Sequence, residues 1–495
     1  MKKLLSFTLT FIMVCSVCSA AAGARETWID NYYYGTGDPF YLNYPTREEI
    51  IAKAKELDID LSHVDGYAQE YSLDPADYRL GKLDDSTYTQ ALNVLNFYRY
   101  VAGLPCDVEI DEAYNELAQA GMLVNAANNT LSHYPDQPEG MSDELYELGK
   151  EGAGKCNIAW RHESLPLSFQ NGWMDDSNKS NIDRAGHRRW ILNPMMKYTG
   201  FGEVGDFTAM YSLDRSREGR FAGDYIAWPA ANTPLDLFVG SLITVSLGAS
   251  YDDPVADKIS VEIRSETQGR SWTVNSKSED AAFYVNTGSF GIDRCIICKV
   301  ADFTADDTLH IRISGITKNG TEAPIEYTAN LFSLSSVELD RTTVMTRPSW
   351  GADFNYTASS LLSKDTPKVS WRSEDPDVSG IWLYKDRPVY YGVSEGRTTI
   401  TVYTGGAYVD VDVIVRNSKF LLGDADGDDE VSVLDVTTAQ RSLSLIKVSE
   451  FCDYLFDIDS DEEIGAIDVA LVMRWLAEMP SNPAIGTGMQ SPFTY

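Results

Sequence analysis

Near its end the chain writes one stretch twice. GDADGDDEVSVLD at 423–435 returns as FDIDSDEEIGAID at 456–468, offset by 33 residues. Asp424, Asp426 and Asp428 recur as Asp457, Asp459 and Asp461, and Asp435 recurs as Asp468. The same offset carries Arg441 to Arg474 and Leu443 to Leu476. A solvated acidic tail has no reason to repeat Asp, Arg and Leu in register. Carboxylates at loop positions 1, 3, 5 and 12, with a backbone carbonyl at position 7, are the oxygen set that Ca2+ takes. One ion is offered Asp424, Asp426, Asp428, the carbonyl of Glu430, Ser432 and Asp435. A second is offered Asp457, Asp459, Asp461, the carbonyl of Glu463 and Asp468. Gly465 stands where Ser432 stands in the first loop, so the second site is expected to be the weaker. Both loops lack the glycine that eases the turn at position 6, having Asp429 and Glu462. Each loop runs into a helical pattern (DVTTAQRSL and DVALVMRWL), so the unit is a loop–helix used twice.

This duplicated unit resembles a type I dockerin, the calcium-dependent plug by which secreted proteins of plant-fibre degraders attach to the cohesin domains of a scaffoldin. The resemblance implies two Ca2+ ions, a cohesin partner and a cellulosome-like setting of polysaccharide breakdown. It also implies that loop positions 10 and 11 meet the cohesin. Those positions are apolar in both copies, Val433 and Leu434, then Ala466 and Ile467. A hydrophobic partner face with two near-equivalent docking orientations is expected.

At 495 residues the chain has length for three or four domains. Acidic residues number 74 against 41 basic, a net charge of −33, which argues against nucleic acid or an anionic membrane as partner. Lys2 and Lys3, an apolar run from Leu4 to Val17 and a small-residue stretch read as a signal peptide over 1–24. No later apolar run approaches the ~18 residues of a membrane span. The expected location is therefore extracellular, on a scaffoldin or cell surface. Cys106, Cys156, Cys295, Cys298 and Cys452 remain after cleavage, too few for a disulfide scaffold. A Cys106–Cys156 bridge is one option, and Cys295 and Cys298 read as buried strand cysteines.

Residues 25–84 read as a Tyr- and Pro-rich lead-in lying across a domain. A helix is predicted from Thr87, with Thr87 and Gln90 as its capping box, and a second from Asp111 to Ala127. Between 131 and 230 come LSHYP (131–135), NIAW (157–160), NGWMDDSN (171–178) and AGHRRWILNP (185–194). In that order these boxes resemble the CAP superfamily of cysteine-rich secretory, antigen-5 and pathogenesis-related proteins, over roughly 85–232. The resemblance implies an α/β/α sandwich whose cavity is lined by two histidines and two acids. The histidines map to His133 and His187. The first acid of the family falls on Cys156, and the second has three candidates, Glu151, Asp175 and Asp176. Two imidazoles across a cleft make half a Zn2+ site, or supply a general base near neutral pH. A hydrolase acting on peptide or polysaccharide is thus the alternative to a non-catalytic cavity for glycan, peptide or lipid. Arg188 and Arg189, beside Trp190, are expected to grip an anionic or sugar-like ligand or to pair with surface acids.

From about 235 the period changes to two. Ile243, Val245 and Leu247 alternate with polar residues, as do Ile259, Val261 and Ile263, and Leu309, Ile311 and Ile313. Residues 235–334 read as a β-sandwich. Residues 336–416, with VSWRSEDPDVSGIW at 369–382, resemble a bacterial immunoglobulin-like domain, with Tyr384, Tyr390 and Tyr391 expected at its surface. The fold expected is multidomain: a CAP-like α/β/α sandwich, two β-sandwich domains, and a small α-helical calcium-binding repeat (dockerin) at 420–480. A disordered tail is expected over 481–495.

Overall fold

The computed structural model describes residues 33–384, 387–417, 419–444, 446, 455–461 and 464–488. The leader at 1–24, Cys452, Glu462, Glu463 and residues 489–495 lie outside them. Among the described residues the chain is mostly β-sheet, in several small sheets with few helices. It divides into two compact units, Met1–Phe332 and Ser333–Tyr495.

In the first unit the helix Asp85–Val101 starts two residues before Thr87. Asp84 is its cap, accepting the Thr87 N–H at 2.8 Å, because a carboxylate suits the exposed donors and the dipole better than a hydroxyl does. Thr87 Oγ1 instead accepts from Gly66 N at 2.8 Å. The helix Glu112–Ala127 packs on the helix Asp143–Lys155 and on a three-stranded sheet, in spatial order Cys156–Trp160, Phe207–Tyr211, Phe201–Val204. Its neighbours come so close that only glycine fits. A Cβ on Gly152 would lie 1.8 Å from Leu117 O, and one on Gly202 would lie 2.3 Å from Gln119 N. Met122, Leu123, Ile158, Val204, Phe207 and Ala209 close the core between them.

Two further sheets follow. One has four strands, in order Tyr225–Trp228, Ile243–Leu247, Cys295–Lys299, Ala282–Asn286. The other has five, in order Asn232–Pro234, Ile325–Phe332, Thr308–Ser314, Ser260–Ser265, Arg270–Val274. Strands from 225 onward therefore belong to these sheets, earlier than the boundary expected at 232–235. Val261 and Ile263 are buried and Glu262 and Arg264 exposed, as period two requires. Ile243–Leu247 departs from it, with all five residues buried, because other chain covers both faces. Cys295 and Cys298 are buried free thiols, and Cys106 and Cys156 are unbridged. The segment 33–40 is tied to both regions. Gly35–Thr36 and Pro39–Phe40 flank the strand Gly219–Phe221, while the buried Tyr34 hydroxyl donates to Leu247 O at 2.8 Å.

In the second unit a four-stranded sheet runs Thr343–Thr346, Ala407–Val415, Gly396–Thr404, Ser370–Ser373. A three-stranded sheet (Gly351–Asp353, Arg387–Gly392, Ser379–Tyr384) and the pair Ser335–Leu339 with Tyr356–Ser360 accompany it. Tyr390 is fully buried in their core, 4.8 Å from the ring of Phe354, and is not the surface tyrosine expected. The repeat forms the helices Val433–Leu443 and Ala466–Leu476. Its core keeps the offset of the sequence: Leu422 and Leu455, Ala425 and Ile458, Val436 and Val469, Ala439 and Val472 are buried pairwise. The expected tail at 481–495 is packed as far as 488. Ile485 is buried, Leu422 N donates to Thr487 O at 3.0 Å, and Gly486 N donates to Leu422 O at 2.9 Å. An apolar Ile at 485 and backbone partners on the first loop make this end part of the fold.

Candidate functional site

Two groups of side chains stand out: the acidic loops of the repeat and the histidine cavity of the first unit. Each loop folds around its last carboxylate. Asp435 Oδ1 accepts from Ala425 N at 2.7 Å and Asp426 N at 3.2 Å, and its Oδ2 accepts from Ser432 N at 2.7 Å. Asp468 does the same 33 residues on, accepting from Ile458 N, Asp459 N and Gly465 N at 2.7, 3.3 and 2.7 Å. In the first loop the other three carboxylates turn toward a common point, and in the second Asp468 itself joins Asp457 and Asp459. Ligand atoms of Asp424, Asp426 and Asp428 lie within 4.8 Å of one another, as do those of Asp457, Asp459 and Asp468. Among the described residues these are the groups of three or more acids, cysteines or histidines close enough to share an ion. Asp424 is buried, and that burial pushes its carboxyl up to about 6. A donor set of crowded carboxylates fits a hard cation such as Ca2+.

The loops differ where side chains differ. Ser432 Oγ accepts the Leu434 N–H at 3.1 Å and caps its helix, and Gly465 has no group for this. Asp429 takes the left-handed conformation (φ 74°) that position 6 demands. Position 4 is left-handed in both copies, at Gly427 (φ 69°) and Ser460 (φ 61°). Beside the loops lies a duplicated apolar surface: Val433 is 67% exposed, Leu434 59% and Ile467 61%, with Ala466 exposed too.

In the first unit His133 and His187 line one cavity of about 340 Å3, together with Cys156, Asn157, Arg184 and Trp190. His133 Nδ1 lies 2.8 Å from Ala153 O. A carbonyl only accepts, so Nδ1 carries the proton and Nε2 is left for the cavity. Burial holds the His133 pKa below its ordinary value, which favours the neutral ring. His187 Nδ1 donates to Asp176 Oδ1 at 2.8 Å, and Asp176 Oδ2 accepts Arg188 N at 3.0 Å. Asp176 is fully buried and left-handed (φ 46°), a conformation costly for aspartate that aims its carboxylate at His187.

Of the three acids offered by the sequence, only Asp176 joins a histidine. Glu151 is exposed and pairs with Lys155 at 2.6 Å. Asp175 sits against Gly240, where a Cβ would lie 1.8 Å from its Oδ1. Arg188 and Arg189 are buried and do neither thing expected of them. Arg188 donates to Met174 O, Asp175 O and Leu242 O, and Arg189 to Gly288 O and Ile292 O, stitching this region to the four-stranded sheet. Ser289 and Phe290, in the loop before Cys295–Lys299, also line the cavity. They lie far along the chain from its other walls, which end at Leu213, and no motif marked them. The lining supplies no activated nucleophile among the described residues. Ser212 Oγ donates to Lys155 O at 3.2 Å, and burial drives the Cys156 thiol far above its ordinary pKa.

No helix among the described residues is long and apolar enough to cross a membrane. No family model matches the chain, and no curated protein matches it. Among solved structures it is similar to domains 4 and 5 of the S-layer protein SbsC, with 18% identity over 30% of this chain and 82% of that one, at a TM-score of 0.16. The Ig1-2 module of the Drosophila receptor protein tyrosine phosphatase DLAR is 10% identical over 35% and 89% of the two chains, at a TM-score of 0.16. Fibronectin(III)-like modules of Clostridium thermocellum CbhA are 12% identical over 37% and 88%, at a TM-score of 0.14. None of these three scores carries an argument about fold or function.

Proposed function

We propose that the chain is an exported component of a cellulosome-like assembly. Its repeat is a calcium-loaded dockerin that plugs into a cohesin of a scaffoldin. Ahead of it come two β-sandwich domains and a CAP-like α/β/α domain, whose cavity faces the medium in which plant polysaccharide is broken down. The observation that carries this reading is the duplication at three levels: gathered carboxylates, the Asp435 and Asp468 hydrogen bonds, and the exposed pairs Val433–Leu434 and Ala466–Ile467. A fold needs no second copy of an exposed apolar pair, whereas a two-way docking face does. Calcium calorimetry on the full chain tests it. Two ions per chain are expected, the first loop binding more tightly because Ser432 adds an oxygen that Gly465 lacks. One ion, or none, contradicts the reading.

The pairing of His187 with Asp176 favours a second reading, in which the cavity is that of a hydrolase acting on peptide or polysaccharide, with His133 and His187 as acid–base groups or as ligands of a Zn2+ ion. Turnover unchanged in His133→Ala and His187→Ala rules it out.

A further inference from the structure

The wall formed by Ser289 and Phe290 is built in rather than mobile. The Phe290 ring rests on Gly186, where a Cβ would lie 3.0 Å from it. The buried Arg189 guanidinium holds the loop, donating to Asn286 Oδ1 at 2.9 Å and Gly288 O at 2.7 Å, with the Phe290 ring centre 5.2 Å away. The cavity thus takes its shape from two parts of the first unit at once.

Its charge runs against that of the chain. Acidic residues outnumber basic ones 74 to 41, yet no Asp or Glu is among the described residues lining the cavity, while His133, His187, Arg184 and Lys155 are. The acids belonging to these bases lie outside its lining: Asp176 on His187, Asp183 at 3.0 Å from Arg184, and Glu151 at 2.6 Å from Lys155. An anion meets the Arg184 guanidinium and the Lys155 ammonium here and no carboxylate, while His133, protonated at Nδ1, turns an acceptor Nε2 to the cavity. The lining also holds short amides and hydroxyls (Asn157, Asn181, Ser212, Ser289) and the rings of Trp190 and Phe290, with Cys156 and Leu213 as its aliphatic part. Amides and hydroxyls match a polyhydroxylated ligand, and rings stack on the apolar face of a sugar. A volume of about 340 Å3 stands at the small end of ligand pockets.

We propose that this cavity binds an acidic sugar, a hexuronic acid unit, with its carboxylate toward Arg184, a hydroxyl donating to His133 Nε2 and its ring between Trp190 and Phe290. Calorimetry on the full chain compares D-glucuronate and D-galacturonate with D-glucose and D-galactose. Each uronate is expected to bind at least about tenfold more tightly than its neutral counterpart. Arg184→Gln and Phe290→Ala should each weaken it by about tenfold with the circular dichroism spectrum unchanged. Equal affinity for acid and neutral sugars, no binding of either uronate, or tighter binding of the dipeptide Ala-Phe overturns the proposal. Excess EDTA strips the repeat but leaves uronate binding intact, so loss of docking and loss of sugar binding are read separately.

Discussion

Asp468 repeats Asp435 bond for bond: each carboxylate ties down the second and third residues of its own loop and the residue that caps the following helix. The two aspartates are knots as well as potential ligands. Asp435→Ala leaves three backbone N–H groups without this acceptor and should destabilise the ion-free repeat by about 1–3 kcal/mol. Calcium affinity at the first loop should fall with it. Chemical denaturation in EDTA, alongside calorimetry, separates the two effects, and a variant as stable as the parent would show that the knot is idle.

Ser460 holds a left-handed backbone where the first loop has Gly427. Ser460→Gly should stabilise the second loop by about 0.5–1 kcal/mol, since glycine takes that conformation without a Cβ penalty. Gly427→Ala should act in the opposite sense and more strongly, because its Cβ would lie 2.5 Å from Met345 Sδ. The midpoint of urea unfolding gives both signs.

The proposed docking face, present in two copies, predicts redundancy. Val433→Asp or Ile467→Asp alone should weaken cohesin binding less than about tenfold, since the other copy still engages. The double variant should weaken it by more than about a hundredfold. Surface plasmon resonance against an immobilised cohesin would read this, and a hundredfold loss from one substitution would mean a single orientation.

In the first unit the buried Glu203 pairs with the half-buried Asp65, and burial, followed by the bond to Asp65, raises the Glu203 pKa far above that of a free glutamate. Asp206 adds a like charge. A carboxyl raised in the folded state contributes stability that is complete below its unfolded pKa of about 4.3 and is lost as pH rises toward the folded value. Glu203→Gln removes that slope. The variant should match the parent near pH 4 and gain on it by about 1 kcal/mol for each pH unit above that, reaching several kcal/mol at pH 8. Thermal melts across that range check it, and parallel curves would mean that Glu203 is ionised in the folded protein.

How far the sequence reached depended on whether the physics was local. The repeat was legible because a loop that gathers ligands writes them at fixed spacing, and its core at Ala425, Ile458, Val436 and Val469 follows the same period. His133 and His187 stood out by type, and the structure brings them to one cavity. Their surroundings depend on chain far away in sequence. Nothing near Phe290 announces that it covers Gly186, and nothing in Asp175-Asp176 says which carboxylate turns toward His187. Arg188 and Arg189 looked like surface charges. Their carbonyl partners at Leu242, Gly288 and Ile292 exist only once the four-stranded sheet is docked. The tail to 488 looked disordered because its few apolar residues gain a partner only on the first loop.

Calcium-dependent docking is the central claim, and one titration tests it most directly: the full chain against an isolated scaffoldin cohesin, in Ca2+ and again in excess EDTA. Binding is expected in Ca2+, to vanish in EDTA and to return when Ca2+ is restored. Binding undiminished by EDTA, or absent in saturating Ca2+, would contradict it.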